Sequence, residues 1–395
     1  MTVYSIDLKT EAGKDAGVKA PADVSSIAAR MGAVSFPFPV QKYAFPQGID
    51  KLKGKFWLLK TCRDRWTALE DLVQQDDIVL FQHPMYGARA SLRYIPEIKK
   101  KKHCRFVALI HDLESLRNGI SGLYEKSERT AQLSDHELLG QFDMLICHNE
   151  YMKKYLVDAG FDPDRIVCLQ IFDYLTEEPF AGRRLHPQPT LAVAGNLHPG
   201  KSGYLYDWAR KHRKPEPRAA VPGDRGPDSA DGDEENPDVD YGTADGKLCF
   251  NLYGVNFDED MANDRMNYCG SFAPEVLPGE LDGDFGLVWD GPSEDSCRGN
   301  TGEYLRYNNP HKASLYLASG LPVMVWSQAA IADFILRHHA GIVVDSLDEA
   351  EDAIRGISDS EYAEMCGNAR TVGKELREGT YFRMAFGECL EKLGG

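Results

Sequence analysis

The chain is short of positive charge and has no long apolar run, and each shortage removes a class of protein. Lys and Arg total 45 against 61 Asp and Glu in 395 residues, a formal charge of −16. That is the opposite sign to a general nucleic-acid binder. No stretch approaches the ~18 consecutive apolar residues of a membrane span. The opening Met1-Thr2-Val3-Tyr4-Ser5-Ile6-Asp7 has no apolar signal-peptide core, which predicts a cytoplasmic protein. The nine cysteines include no C-x-x-C pair, a poor fit to a zinc site or a disulfide framework. They are expected to be reduced and mostly buried. H-E-x-x-H, G-x-S-x-G and G-x-G-x-x-G are all missing. A nicotinamide-dependent oxidoreductase is therefore left without its fingerprint.

What is present is ordinary globular material, 43% hydrophobic and 27% charged, enough for two or three domains. The acidity is local. Between Asp224 and Asp245 nine carboxylates face one arginine, a net of −8 and half of the whole excess. The stretch from about 214 to 246 has almost no large apolar residue. It reads as a disordered surface insertion that cannot offset its own ordering entropy.

Elsewhere, short apolar runs alternate with helical patterns. Strands are predicted at Val3–Leu8, Phe56–Lys60, Ile78–Gln82, Phe106–His111, Met144–His148 and Ile166–Phe172. A second series follows at Thr190–Ala194, Leu248–Gly254, Phe285–Trp289, Leu321–Trp326 and Gly341–Asp345. Continuously apolar strands separated by helices predict parallel sheets covered on both faces. Asn149 is expected to cap a helix that stops at Gly160, Asn309 one with Pro310 at its first position, and Ser327 another. A polar, Pro-rich link divides the chain. The predicted domains are 1–176, 188–375 with the acidic insertion, and a helix in 376–395 that packs back on the first unit.

Five strand-to-loop passages are candidates for chemistry. In parallel α/β sheets ligands sit at the carboxyl ends of the strands. Gly302-Glu303-Tyr304-Leu305-Arg306-Tyr307-Asn308-Asn309-Pro310-His311-Lys312 leads a loop into a helix N-terminus, a natural anion site. Lys312 opposes the helix dipole there, so it is either an exposed helix residue or a diphosphate ligand. Gly195-Asn196-Leu197-His198-Pro199-Gly200-Lys201 is a second such passage, either a plain connection or a loop whose Asn196 and Lys201 meet a ligand. In the first unit, Ile110-His111-Asp112 and Phe81-Gln82-His83 end strands with groups fit to orient or deprotonate a hydroxyl, or merely to satisfy the core. The loop Thr10–Asp23, with Lys14 and Lys19, is expected at the same edge.

Asn308-Asn309-Pro310-His311-Lys312-Ala313-Ser314-Leu315-Tyr316 and Trp326-Ser327-Gln328-Ala329-Ala330-Ile331-Ala332-Asp333-Phe334 resemble one group of bacterial sugar transferases. These are the β-1,6-galactofuranosyltransferases and the glucosyltransferases that extend glycans on streptococcal serine-rich adhesins. Leu109-Ile110-His111-Asp112-Leu113-Glu114, Phe285-Gly286-Leu287-Val288-Trp289 and Lys19-Ala20-Pro21-Ala22-Asp23-Val24 support the likeness. The resemblance implies the GT-B fold, two Rossmann-like parallel-sheet domains with a cleft between them. It implies a UDP-sugar donor on the second domain, transfer without a metal or other cofactor, and a glycan acceptor, lipid-linked or not. By similarity, Asn196 and Lys201 lie by the donor phosphates, Tyr268 near the nucleotide, and Tyr307, Asn309 and Lys312 at the diphosphate. Lys19 and His111 would meet the acceptor, with Asp112 and Lys312 as the catalytic pair. A homo-oligomer, peripheral contact with the inner membrane face and a non-catalytic subunit of a glycan-assembly complex all remain compatible with the likeness.

Overall fold

A computed structural model describes residues 1–9, 16–39, 49–85, 88–118, 133–212 and 246–394. The acidic stretch and the first part of the Thr10–Asp23 loop lie outside the described residues.

Two six-stranded sheets organise the chain, and every strand pair in both is parallel. The first is built from β1 (Val3–Lys9), β2 (Val34–Pro39), β3 (Ile78–His83), β4 (Arg105–Ile110), β5 (Met144–Cys147) and β6 (Ile166–Cys168), in the order β2-β1-β3-β4-β5-β6. The second holds β7 (Thr190–Asn196), β8 (Cys249–Val255), β9 (Met266–Gly270), β10 (Phe285–Val288), β11 (Val323–Trp326) and β12 (Gly341–Val344), in the order β12-β11-β10-β7-β8-β9. Burial explains the parallel arrangement. β3 and β5 are buried at every residue, β4 at all but its first, and β10 and β11 at every residue. Such strands must be covered on both faces.

Two strands were not legible in the sequence. β2 reads Val-Ser-Phe-Pro-Phe-Pro, and its two prolines cannot donate to a ladder, which confines it to an edge. β9 is also an edge, half exposed and weakly apolar. One predicted strand is wrong. Phe56–Lys60 lies inside a long helix, α2 (Ile49–Leu72). Cys62, Trp66, Leu69 and Val73 continue that run at three- and four-residue spacing, and all are buried. The helical period over this longer window overrides a four-residue apolar run.

Residues 16–30 form a helix, α1 (Ala16–Arg30), so Lys19 stands on a helix and not on a loop. Asn149 caps the helix Glu150–Asp158, accepting from the Met152 N–H at 3.0 Å. Pro310, not Asn309, is the N-cap of the helix His311–Ala318. Ser327 caps nothing: its hydroxyl is drawn to Asp345, and the following helix starts at Ala332. The final helix, Thr380–Gly394, packs on α1, β5 and β6 of the first sheet. Asp173 fixes its start by accepting from the Phe382 and Tyr381 N–H groups at 2.7 and 3.2 Å.

The link into the second sheet is held by charge. Asp284, fully buried, accepts from the backbone of His186 and Thr190 and from the His186 ring at 2.8 Å. Hydrogen bonding to Asp284 raises the His186 pKa above its ordinary 6.5. The charge on His186 therefore contributes stability fully below pH 6.5, and that contribution fades as pH rises through the folded value. Thermal melts of wild type and His186→Gln should differ by about 1 kcal/mol at pH 6, or roughly 2–4 °C, and the difference should shrink as pH rises. A difference that does not change with pH would remove the charge from this contact.

Candidate functional site

The second sheet reverses its strand order between β7 and β10. A ligand crevice is expected outside the carboxyl ends of the strands at such a point. β7 ends in Gly195-Asn196, and β10 is followed by Trp289-Asp290-Gly291. The backbone locks the two ends together. Gly291 donates to the Lys201 carbonyl at 3.0 Å and accepts from the Tyr204 N–H at 3.1 Å. Gly291 holds φ +111°, and a Cβ there would strike the Arg298 carbonyl, so the turn requires glycine. This stitching sets the first turn of the helix Pro199–Lys211, with Lys201, beside Asp290.

The helix His311–Ala318 is fixed from below. The Tyr316 ring lies against Gly286, where a Cβ would enter the ring. Its hydroxyl accepts from the Ala194 N–H at 2.8 Å and donates to the Leu287 carbonyl at 3.2 Å. One tyrosine thus ties β7, β10 and this helix into a rigid unit. Lys312, in the helix's first turn, bends back to the Asp290 carboxylate at 2.8 Å and the Trp289 carbonyl at 3.0 Å. That pair is largely buried, with side chains 15% and 10% exposed. The ion pair supplies one reason for a cation at this unfavourable end of a helix.

Gly195-Asn-Leu-His-Pro-Gly200-Lys201-Ser202 also has the spelling of a phosphate loop, G-x-x-x-x-G-K-S. Its geometry is different. The helix already begins at Pro199, which has no N–H. Leu197 N–H donates to the Val255 carbonyl, His198 N–H to Asn196 Oδ1, and Gly200 N–H to His198 Nδ1. Lys201 and Ser202 N–H both donate to the His198 carbonyl. The donors that would cradle a phosphate are occupied, all but Leu197 N–H within the loop itself. Among the described residues Lys201 has no hydrogen-bonding or ion-pair partner for its ammonium group, and it is half-buried.

Across the cleft, the first sheet presents the carboxyl ends of β3 and β4. Asp112 is bonded to Arg117 at 3.0 Å, with its side chain 31% exposed. Burial raises its carboxyl pKa, against the lowering effects of Arg117, of the Tyr304 hydroxyl and of Lys201. Tyr304 belongs to the second unit, at the end of the helix Gly299–Tyr304, and is itself buried. Its hydroxyl accepts from the Leu113 N–H at 3.0 Å. A tyrosine of the second unit thus reaches the strand end that carries Asp112, and the charge of a second-unit lysine, Lys201, acts on the same carboxylate. Tyr304 falls in the loop-to-helix passage singled out above, yet nothing in its type or spacing marks it. Only the fold shows that it crosses the cleft.

The other expected residues fall into distinct places. Asn309 is buried, and its amide is engaged at both ends by the first unit: Oδ1 accepts from Asn149 at 2.6 Å, and Nδ2 donates to the Gln170 carbonyl. Its N–H donates to His148 Nδ1 at 2.9 Å, so the proton of His148 sits on Nε2, facing the Ile110 and His111 carbonyls. Tyr307 packs edge-on against Tyr155 of the first unit, and its carbonyl accepts from Asn149. Both residues join the two units rather than standing free in the crevice. Lys19 is buried, paired with Asp23 at 2.5 Å and donating to the Leu175 carbonyl at 2.7 Å. His111 bonds Gln82 at 2.7 Å and stacks on Phe172. Burial and the neighbouring His148 push its pKa down to about 3, so it is neutral at ordinary pH. His83 is buried against Asp135 at 3.1 Å, a structural pair.

Asn196 is exposed, its Oδ1 also accepting from Asn256 at 3.0 Å. Tyr268 stands on edge strand β9, 42% exposed, stacked on Phe257 with centroids 4.8 Å apart. Phe257 lines an open recess with His198, Pro199, Asn256, Asp258, Glu259 and Asp260. The recess therefore has one aromatic face, the start of the helix Pro199–Lys211 on another side, and three carboxylates at its rim.

The chain matches known proteins along both units. Models of the glucosyltransferase 3-like family match here: its N-terminal domain at residues 2–171 and its C-terminal domain at 231–389. The chain is 31% identical over 327 residues to the β-1,6-galactofuranosyltransferase WbbI of Escherichia coli (strain K12), covering 81% of each chain. It is 25% identical over 310 residues to glucosyltransferase 3 of Streptococcus gordonii, covering 78% of this chain and 76% of that one. Among solved structures, sucrose-phosphate synthase from Thermosynechococcus elongatus superposes with a TM-score of 0.60 at 13% identity, over 100% of this chain and 99% of that one.

Proposed function

The chain belongs to the glucosyltransferase 3-like family of GT-B glycosyltransferases, and we propose that it moves a hexose from a UDP-sugar to a hydroxyl of a glycan, without a metal. The observation that supports the detail is the Tyr304 hydroxyl, which crosses the cleft to the Leu113 N–H beside Asp112, while the charge of Lys201 acts on Asp112 from the same unit as Tyr304. An acceptor hydroxyl entering at the β4 edge would lie between a carboxylate of raised pKa and the donor's cations. Its oxygen forms the new bond to the anomeric carbon, its proton passes to Asp112, and the bond to the UDP oxygen breaks. UDP leaves with that electron pair. Lys201, and Lys312 once shared with the diphosphate, would stabilise the charge that grows there, a task a divalent ion does elsewhere. Tyr268 and Phe257 offer a flat wall for the nucleotide base. Asn196 would border the phosphates.

A non-catalytic binding subunit would need the second unit's cations but no carboxylate held ready across the cleft. The buried Tyr304–Leu113 bond beside Asp112 favours turnover. Calorimetric titration with UDP in EDTA tests the donor half of the reading. Wild type should bind, and Lys201→Ala should bind about tenfold or more weakly, the cost of a charge-assisted hydrogen bond. Equal binding by the two proteins sinks the Lys201 assignment, and metal-dependent binding sinks the metal-free mechanism.

A further inference from the structure

In a protein of charge −16, one segment has the opposite character. Between Lys51 and Arg65 six cations stand against the single carboxylate of Asp64, a net of +5, and Phe56-Trp57-Leu58-Leu59 lies among them. All of it belongs to α2. The inner face of that helix is accounted for by buried Cys62, Trp66 and Leu69. On the outer face Phe56 is 73% exposed and Leu59 62% exposed, with Lys60 and Arg63 exposed one turn on, Arg63 bonded to the equally exposed Asp64 at 3.1 Å. Residues 56, 59, 60 and 63 share one helical stripe. Among the described residues the Phe56 phenyl and the Leu59 isobutyl group stay largely in water on one stripe with Lys60 and Arg63.

The placement adds direction. α2 has 24 residues, or about 36 Å of helix. β3 has six, or about 20 Å of strand. The C-terminal end of α2 leads into the start of β3, so the surplus length projects past the carboxyl ends of the strands. At that rise Leu59 stands about level with the carboxyl end of β3 and Phe56 about 4 Å beyond it, at the edge of the first unit that presents Asp112. The other basic run, Lys99–Lys102, ends a helix at the opposite edge of the sheet. Lys99 and Lys101 there are already paired with Asp143 and Glu70.

We propose that the projecting half of α2 docks on an anionic lipid bilayer and so holds the Asp112 edge toward an acceptor at the membrane surface. The purpose of the docking rests on the assignment of Asp112 to the acceptor side; the docking itself does not. An anionic surface attracts the cations, and the headgroup layer takes up exposed aromatic and aliphatic groups of an interfacial helix. The acidic remainder of the molecule is repelled, which leaves this end as the contact. Among the described residues no helix is long and apolar enough to cross a membrane, so the contact would be peripheral.

Vesicle sedimentation of the full chain tests this. The probes are phosphatidylcholine vesicles with and without an equal share of phosphatidylglycerol. Wild type should sediment only with the anionic vesicles, and less as salt rises. F56S/L59S and K60E/R63E should each lower the partition coefficient about tenfold or more. Both variants should bind UDP as wild type does, which shows that they are folded. Equal sedimentation of wild type and variants overturns the proposal, as does indifference to anionic lipid. Failure on vesicles combined with retention on poly-glutamate, lost in K60E/R63E, would give the surface to an acidic protein instead. Turnover of a water-soluble acceptor is read separately. Vesicle binding without turnover would fail the transferase reading alone, and turnover without vesicle binding would fail the docking alone.

Discussion

Asp112→Asn should lower kcat by about 10²- to 10⁴-fold, the usual worth of a general base, while UDP affinity stays within about twofold. The substitution keeps the shape that Arg117 and Tyr304 pack against and removes only the ability to take a proton. Tyr304→Phe provides the companion measurement. Burial raises the Asp112 pKa, and the Tyr304 hydroxyl is one of the groups that hold it down. Without that hydroxyl the carboxyl pKa rises further. The acid limb of the kcat/KM profile should therefore move to higher pH, with a loss of about tenfold at neutral pH from the imperfectly held base. Asp112→Asn retaining more than a tenth of wild-type kcat would end the assignment. An unmoved acid limb in Tyr304→Phe would leave Asp112 in place and remove Tyr304 as its positioning residue.

Lys312→Ala should cost both turnover and stability, and the two losses have different origins. Removing a cation aimed at a leaving diphosphate is expected to lower kcat/KM by about 10²- to 10³-fold. Removing the partner of Asp290 leaves a carboxylate only 10% exposed without its counter-charge, worth about 3–5 kcal/mol of destabilisation. The double variant Lys312→Ala/Asp290→Asn separates them. It should regain most of the stability, since no orphan charge remains, and none of the turnover. If turnover returns with stability, Lys312 serves only the fold, and the diphosphate must be held by Lys201 and other groups.

The fold was largely legible because its strands are buried on both faces. Runs such as Phe106-Val107-Ala108-Leu109-Ile110 have one physical use, a central parallel strand. The errors follow the same logic. β2 and β9 are edges, where prolines and polar residues are tolerated and the apolar signal is lost. Phe56–Lys60 was misleading because an apolar run that faces water on a helix looks, over four residues, like one that faces a core.

The candidate site was legible in position but not in role. Lys201, Lys312 and Asp112 stand on strand-to-helix passages that a parallel sheet must place at one rim, and their types alone suggested an anion and a proton acceptor. The family resemblance places Asn309 and Tyr307 at the diphosphate. In the folded chain His148, Asn149 and Tyr155 reach them first, through contacts about 150 residues away in sequence. Lys19 was expected on a loop and is instead buried against Asp23.

By itself, then, the sequence determined the two parallel sheets and the family, and it named the rim proposed to carry the chemistry, because hydrophobic period and strand-end motifs are local properties. Only the tertiary structure decided which polar groups are spent on one another. Lys312 is paired with Asp290, the Asn196–Ser202 loop satisfies its own donors, and Tyr304 crosses the cleft to the Asp112 strand end. A side chain's chemistry depends on the charges and hydrogen bonds within a few ångströms of it, and those neighbours come from distant parts of the chain.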